Sequence, residues 1–459
     1  MKFAAALVLL ALMLVPPCFC ELVVDGRLDE WPDSVCSGSL PGAAVREAGD
    51  RLIFCLVLSS PISLQRNNDL VLVLDADADP ETGRPLGGVG AEVVWHFGKR
   101  TGEIHRAARV EKITAYDLGM VTAPTTAASA FEVSLDPEMP ELYPLLTAPV
   151  LNWAVLSKDK VAANGSLAWK NEPYDAAGGT SPPPAGPAVR VLSYNVLRNG
   201  IVREPALYDR ILRALRPDII ALQEVYGADT PTLAERFGKI LGGDWAVTAH
   251  ADLVVASRYP LLASRPVLGN LAVVVDLTAT PIEAPLRLLN LHLPASRRDR
   301  ERQWEADALI AFLRDSGQGE DPFASPSSPL VVLGDFNFVG DPGQLDTLLR
   351  GAIVNRERFG ADFPPDNDGT DLTDLVPRHS SAPEVYTWWA KGGKAPYYPG
   401  RLDFILYSDA TLSPSGFILR SESLGSAVLD SLKLERFDTS RASDHLPLVI
   451  DLLPSAAAR

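Results

Sequence analysis

From residue 188 onward the chain carries a series of short apolar runs, each ending in polar residues. Val189 to Tyr194, Ile219 to Leu222, Leu253 to Ala256, Leu271 to Leu277, Leu286 to Leu291, Leu330 to Leu333, Arg401 to Tyr407 and Leu446 to Leu452 are of strand length and apolar almost throughout. Strands covered on both faces read this way, because neither face meets water. Between them, Pro205 to Leu215 has helical spacing. Arg298 to Arg314 reads as an amphipathic helix, with Trp304, Ala308, Ala311 and Phe312 on one face and Leu309 and Leu313 beside them. Two packed sheets with outer helices satisfy both patterns, an α/β sandwich.

The chain has 459 residues, too long for one ordinary domain. Residues 176–187 read AAGGTSPPPAGP, a composition that favours an extended linker. Upstream, Lys2, the apolar run Ala4 to Val15 and the small residues up to Cys20 have the layout of a signal peptide. The run is too short for a comfortable membrane span, and no later segment looks membrane-spanning. The expected organisation is therefore a signal peptide over 1–20, a first domain over 21–175, a linker over 176–187 and a second domain over 188–455, in a secreted or periplasmic protein. A retained anchor and a lipid-modified Cys18 or Cys20 are the weaker alternatives. After cleavage only Cys36 and Cys55 remain, and an oxidising compartment would permit a disulfide between them.

Residues 21–175 read as β-structure. Arg51 to Leu58, Leu70 to Leu74, Ala91 to Phe97 and Phe131 to Leu135 are strand-like, separated by turn residues, and a β-sandwich is expected. The opening Val24-Asp25-Gly26-Arg27-Leu28-Asp29-Glu30-Trp31-Pro32 and the later Asp75-Ala76-Asp77-Ala78-Asp79, Thr82-Gly83 and Gly90-Ala91-Glu92 resemble secreted domains related to carbohydrate-binding modules. That resemblance implies a glycan or surface ligand. Asp75, Asp77 and Asp79 could offer oxygens to Ca2+, although the full twelve-residue calcium loop is absent; a solvated acidic turn is the alternative. Trp31, Trp95 and Trp153 are expected in the core rather than on a sugar.

The formal net charge of -16 argues against a non-specific polyanion binder. It leaves room for chemistry on phosphates, because a bound divalent cation supplies local positive charge. The polar clusters at the strand ends point that way. In order they are Ser193-Tyr194-Asn195, Gln223-Glu224, Ser257-Arg258-Tyr259-Pro260, Asn290-Leu291-His292-Leu293, Gly334-Asp335-Phe336-Asn337, Arg401-Leu402-Asp403 and Ser443-Asp444-His445. The ordered set resembles the endonuclease/exonuclease/phosphatase superfamily over 188–455. The resemblance implies a four-layer α/β sandwich whose site lies where the two sheets open, and a divalent metal, Mg2+ or Mn2+.

Phosphoester hydrolysis requires neutralised phosphoryl oxygens, an activated water and help for the leaving oxygen. Glu224 ends an apolar strand, where a metal would relieve a poorly solvated carboxylate; a strand-end cap is the alternative. With Asp444, and with Asn195 assisting, it is the expected metal site. The resemblance implies that His445 orients or deprotonates the attacking water or binds a phosphoryl oxygen, and that Asp403 fixes its tautomer. Asp335 and Asn337 lie two apart, so on an extended segment they would face the same way; one would polarise water and the other donate to phosphate. The competing reading is an Asx turn. His292 would donate to the phosphate or protonate the leaving oxygen. The family's Gly-Asn pair is replaced by Ala251-Asp252, so its phosphate or metal contact is not carried over. Trp388, Trp389, Tyr397 and Tyr398 could stack on a base, sugar or headgroup, or pack in the core. Arg297, Arg298, Arg300 and Arg302 read as a solvated helix face more readily than as an anion-steering patch.

The expected function is an exported phosphodiester hydrolase, a nuclease acting on nucleic acid first of all. A phospholipid or small-phosphoester phosphodiesterase or phosphatase is the alternative. A non-catalytic glycan- or surface-binding protein is the third reading.

Overall fold

The computed structural model describes residues 22–32, 42–106, 109–169, 188–316, 321–324, 328–366, 368–380, 382–391 and 397–455. The expected signal peptide, Cys36 and the segment 176–187 lie outside the described residues, whereas Cys55 is buried on the strand Arg51–Ile62.

The apolar runs after residue 188 form two six-stranded sheets. In spatial order the first is Ala246–His250, Leu253–Ser257, Ile219–Gln223, Val189–Asn195, Leu448–Leu452 and Ser415–Ile418. The second is Leu261–Val267, Asn270–Val275, Leu286–His292, Leu330–Asp335, Asp403–Tyr407 and Thr373–Leu375. Each sheet holds one parallel pair, Val189–Asn195 beside Ile219–Gln223 and Leu286–His292 beside Leu330–Asp335, and its other neighbours are antiparallel.

The continuous apolar character of the strands has a direct cause. Val191, Ala221, Val255, Val273, Leu288, Val331 and Ile450 meet in the layer between the sheets. Leu192, Ile220, Leu222 and Val254 face the helices Pro205–Leu215 and Thr230–Leu241 on one outer side. Leu289, Leu291, Val332 and Leu406 face Asp299–Ser316 on the other. This is a helix–sheet–sheet–helix arrangement, and both faces of every central strand are dry.

The helix Asp299–Ser316 forms as its period requires, and Ala308, Leu309, Ala311 and Leu313 of the expected face are buried, but Trp304 is not. Ala306 and Ile310 are buried as well, while Trp304 is 40% exposed. Trp304 instead meets Phe359 edge-on at 4.7 Å, outside the main core. Small Ala306 and branched Ile310 fit against the sheet, where the Trp304 ring would not.

Upstream lies a β-rich region. Gly42–Ala48, Arg51–Ile62, Ala128–Leu135 and Val121–Ala123 form a four-stranded antiparallel sheet; Lys160–Ala168, Val150–Ser157, Leu70–Asp75, Val93–His96, Thr101–Arg106 and Arg109–Ile113 form a six-stranded one. Phe54, Leu72, Trp95, Phe131 and Trp153 share one core between them. Trp31 is also buried, its Nε1 donating to Glu132 Oε1 at 2.8 Å.

This region is joined to the second half of the chain by buried polar contacts. Arg51 reaches Glu384 at 3.4 Å, and Ser134 Oγ donates to the same carboxylate at 3.0 Å. Tyr398 inserts into the upstream core, where its hydroxyl accepts from Trp95 Nε1 and donates to Phe97 O. Among the described residues no helix is long and apolar enough to cross a membrane.

Candidate active site

Six of the seven polar clusters stand at one common edge of the two sheets; Ser257 to Pro260 follows a strand antiparallel to Ile219–Gln223 and lies at the other edge. Asn195 ends Val189–Asn195, Glu224 follows Ile219–Gln223, His292 ends Leu286–His292 and Asp335 ends Leu330–Asp335. The antiparallel strands Asp403–Tyr407 and Leu448–Leu452 start at that edge, which brings in Asp403, Asp444 and His445.

Beneath this edge a polar bridge ties the sheets together. Gln223 Nε2 donates to Asn290 Oδ1 at 2.7 Å, and Asn290 Nδ2 donates to Leu222 O at 3.0 Å and Val254 O at 3.1 Å. Both side chains are fully buried, so each bond offsets a desolvation cost and fixes the sheets' relative position.

All eight residues expected from the sequence gather here. Glu224, His292, Asp335, Asn337, Asp444 and His445 line one cleft of 230 Å³. Asn195 and Asp403 sit behind it as buried supports. Asn195 Nδ2 donates to Glu224 Oε1 at 3.2 Å and to Asp335 Oδ2 at 3.1 Å. His445 Nδ1 is 2.8 Å from Asp403 Oδ2, while its Nε2 lies 3.6 Å from Asp335 Oδ2.

A second histidine repeats this arrangement through a residue that the sequence reading passed over. His292 Nδ1 is 2.6 Å from Asp252 Oδ2, and its Nε2 is 3.7 Å from Asp335 Oδ2. Asp252, which stands where the family's Gly-Asn pair is absent, thus has a role of its own. The usable signal was an acid placed directly before the apolar strand Leu253–Ser257.

The electrostatics follow from burial and these partners. Burial favours neutral imidazole, but the carboxylates of Asp403 and Asp335 outweigh it and push His445 up to about 10. Burial likewise opposes charge on His292, and Asp252 and Asp335 push it up to about 9. Burial drives Asp335 up to about 6, with His445 acting against the rise.

Asp335 and Asn337 do not lie on one extended segment. Asn337 has a left-handed φ of 51°, and its N–H donates to Asp335 Oδ1 at 3.0 Å in the Asx turn that was the competing reading. The turn nevertheless leaves both residues on the cleft. Glu224 also has a left-handed φ, 61°, unusual for a glutamate. Gly334 is required where it stands. Its φ is +132°, and a Cβ would come within 2.1 Å of Leu291 O on the neighbouring strand.

The donor set suits a hard divalent cation. Asp444 Oδ1 is buried without a hydrogen-bond partner, while Oδ2 accepts from Trp388 Nε1 at 3.1 Å. Glu224 adds a half-buried carboxylate. Oxygen ligands of this kind fit magnesium or manganese. Asp335, Asp403 and His445 also bring ligand atoms within 4.8 Å of one another. There, however, His445 Nδ1 is already committed to Asp403.

In the β-rich region, Asp75, Asp77 and Glu92 form a second such group. Asp79 does not join it; its Oδ1 accepts from Glu81 N and caps the turn, and Glu92, distant in sequence, takes the third place.

The aromatic stretch divides between roles. Trp388, Tyr397 and Tyr398 line the cleft, while Trp389 packs on the layer between the sheets. The arginines divide too: Arg297 lines the cleft, whereas Arg302 is fully buried and donates to Pro294 O, Ser296 O and Val339 O. Arg258 is structural, donating to Leu241 O and lying over the Trp245 ring.

Residues 192–445 match the model of the Endonuclease/Exonuclease/phosphatase family. Several solved structures are similar in fold. An AP endonuclease from Archaeoglobus fulgidus is 15% identical, with 57% of this chain and 99% of that chain covered and a TM-score of 0.37. TDP2 from D. rerio complexed with single strand DNA product is 17% identical, covering 57% and 98%, with a TM-score of 0.36. The human Nocturnin catalytic domain with bound sulfate is 19% identical, covering 59% and 96%, also at 0.36. No curated protein matches the chain. The family match spans more than half of the sequence, so the chain belongs to the endonuclease/exonuclease/phosphatase family, whose members are metal-dependent phosphoester hydrolases.

Proposed function

We propose that this chain hydrolyses phosphodiesters, with two histidine–aspartate pairs acting on one phosphate. The observation that carries this reading is the convergence of His292 Nε2 and His445 Nε2 on the same oxygen of Asp335, at 3.7 and 3.6 Å. A diester needs a proton removed from water on one side and supplied to the leaving alcohol on the other; the Asp335 carboxylate can take the first, and charged imidazoles can supply the second and hold the phosphate. His445, held by Asp403, orients the water or a phosphoryl oxygen. His292, held by Asp252, donates toward the leaving oxygen. Asp335 polarises the water, and Asn337 donates to phosphate. Glu224 and Asp444, with Asn195 steadying Glu224, would hold Mg2+ or Mn2+. When bound, that ion neutralises charge on the phosphoryl and leaving oxygens.

Nucleic acid is the first substrate class of this reading, supported by Trp388 and Tyr397 on the cleft, where rings can stack on a base. A small or lipid-headgroup phosphoester is the second, supported by the modest volume of 230 Å³. Export through residues 1–20, and a division at 176–187 between a region over 21–175 and a catalytic domain over 188–455, belong to the same proposal. So does Ca2+ at Asp75, Asp77 and Glu92, where Asp75 Oδ1 is a buried oxygen without a hydrogen-bond partner. A glycan or surface ligand for 21–175 rests on the sequence resemblance.

The test is hydrolysis of bis(p-nitrophenyl) phosphate and plasmid DNA by the full chain with magnesium, manganese or chelator, beside His445→Ala and His292→Ala. Metal-dependent turnover that both variants lose is expected. Turnover that survives chelation or either substitution would refute the reading.

A further inference from the structure

The cleft is walled by both halves of the chain. Ser63, Gln65 and Arg66, which follow the strand Arg51–Ile62, line it together with His292, Asp335 and His445, and so does Thr125. The contact is built into the fold. Thr125 Oγ1 donates to Phe338 O at 2.7 Å, and Ala127 N donates to Gly340 O at 2.6 Å, both on the loop that leaves Asn337. Arg66 lies so close over that loop that a Cβ on Gly340 would come within 2.4 Å of its Nη2.

Arg66 is only partly neutralised in this position. Its carboxylate neighbour, Asp299, stands 3.7 Å away and is also bonded to the buried Arg302. One carboxylate therefore serves two guanidinium groups. Arg297 adds an exposed cation on the same cleft. A cationic end has thus been assembled, partly by the upstream region, in a chain whose formal net charge is -16. Cations lining a concave site attract anions, and guanidinium groups pair with phosphate oxygens in particular.

Resting on the phosphodiesterase reading, we infer that Arg66 and Arg297 form a subsite for a second anionic group, a phosphate above all, that the substrate carries beside its scissile diester. A nucleotide strand presents this group as its neighbouring phosphate; a small ester presents it as a second phosphoryl group. The cleft is smaller than the roughly 300–1,000 Å³ of sites that enclose drug-sized ligands, and at 230 Å³ it suits one linking group between two phosphates. The upstream region is then a part of the substrate site and sets its preference.

The manganese-loaded full chain should hydrolyse thymidine 5′-(p-nitrophenyl phosphate) about tenfold more efficiently in kcat/KM when a 3′-phosphate is present. That ratio should fall toward one in Arg66→Ala and recover in part in Arg66→Lys. If Arg66→Ala also loses cleavage of a short single-stranded oligonucleotide, the inference holds with a strand as the source. If its loss is confined to the small ester, the inference holds with a small ester as the source. A ratio near one in the wild type, or an equal fall for both thymidine esters in Arg66→Ala, overturns it and leaves Arg66 a purely structural role. Independently of how any variant folds, thymidine 3′,5′-bisphosphate should inhibit the wild type at about tenfold lower concentration than thymidine 5′-phosphate; equal inhibition overturns the inference. No hydrolysis of any diester would instead refute the phosphodiesterase reading, and this one with it.

Discussion

Asp252 and Asp403 hold their histidines alike, at 2.6 and 2.8 Å from Nδ1, so their removal should leave similar kinetic marks. Asp252→Ala frees the His292 ring and should lower kcat on bis(p-nitrophenyl) phosphate about 10- to 100-fold with little change in KM. Asp252→Asn should recover part of this loss, because its amide carbonyl can still accept from Nδ1–H. A fall in KM-controlled binding alone would contradict the assignment. His379 plays a different part. It is fully buried, its Nε2 bonds to Tyr386 O at 2.8 Å, and burial, helped by Arg420 and Arg51, pushes it down to about 3 from 6.5. The unfolded chain therefore binds this proton first as pH falls. Stability linked to His379 is complete above pH 6.5 and is lost progressively from there down to about 3. Between pH 6 and 5, chemical denaturation should show a slope about 1.4 kcal/mol per unit shallower in His379→Phe than in the wild type.

Single elements carry the next constraints. Gly334→Ala sets a Cβ 2.1 Å from Leu291 O and forces alanine to a φ of +132°, so the strand Leu330–Asp335 must move away from Leu286–His292. We expect a loss of about 3 kcal/mol or more in urea unfolding, together with lost activity, because His292 and Asp335 end these two strands. Asn290→Leu is nearly isosteric but leaves Gln223 Nε2 with only its long bonds to Ser193 Oγ and Ala221 O, and removes the donor to two carbonyls in the dry layer between the sheets. A cost of about 2–5 kcal/mol should appear in the same measurement. The helix Thr230–Leu241, which the sequence reading did not single out, begins at Asp229, whose side chain accepts from Thr232 N. That cap and the following Pro231 were readable as a helix start.

For the whole molecule, the buried contacts between the two halves predict shared stability. Glu384 is fully buried and receives both Arg51 and Ser134 from the β-rich region. Glu384→Gln removes one of the three carboxylates beside the buried Arg51 guanidinium and leaves Asp136 and Asp50 at 3.4 and 3.6 Å. The expected cost is about 3 kcal/mol. In the wild type, far-ultraviolet and near-ultraviolet circular dichroism should follow one unfolding transition. Two separated transitions would mean that the halves unfold independently and that this interface contributes little.

The layers and the strand ends were legible in the order of residues. Apolar runs covered on both faces leave few arrangements other than two sheets under helices, and strand termini are where unpaired polar residues can stand. Hence Asn195, Glu224, His292, Asp335, Asn337, Asp403, Asp444 and His445 were legible as one set, and helix Pro205–Leu215 was legible to its boundaries. Tertiary structure alone decided who touches whom. Asp252 and His292 are 40 residues apart and meet at 2.6 Å only because Leu253–Ser257 and Leu286–His292 lie in different sheets that face each other. Glu92 replaces Asp79 beside Asp75 and Asp77 for a similar reason, since local spacing records neighbours in the chain and not across a fold. The placing of Arg66 at the cleft belongs to the same class. A lone arginine in a turn of one half has no local pattern that marks it, and only the docking of the two halves brings it beside Gly340 and Asp299.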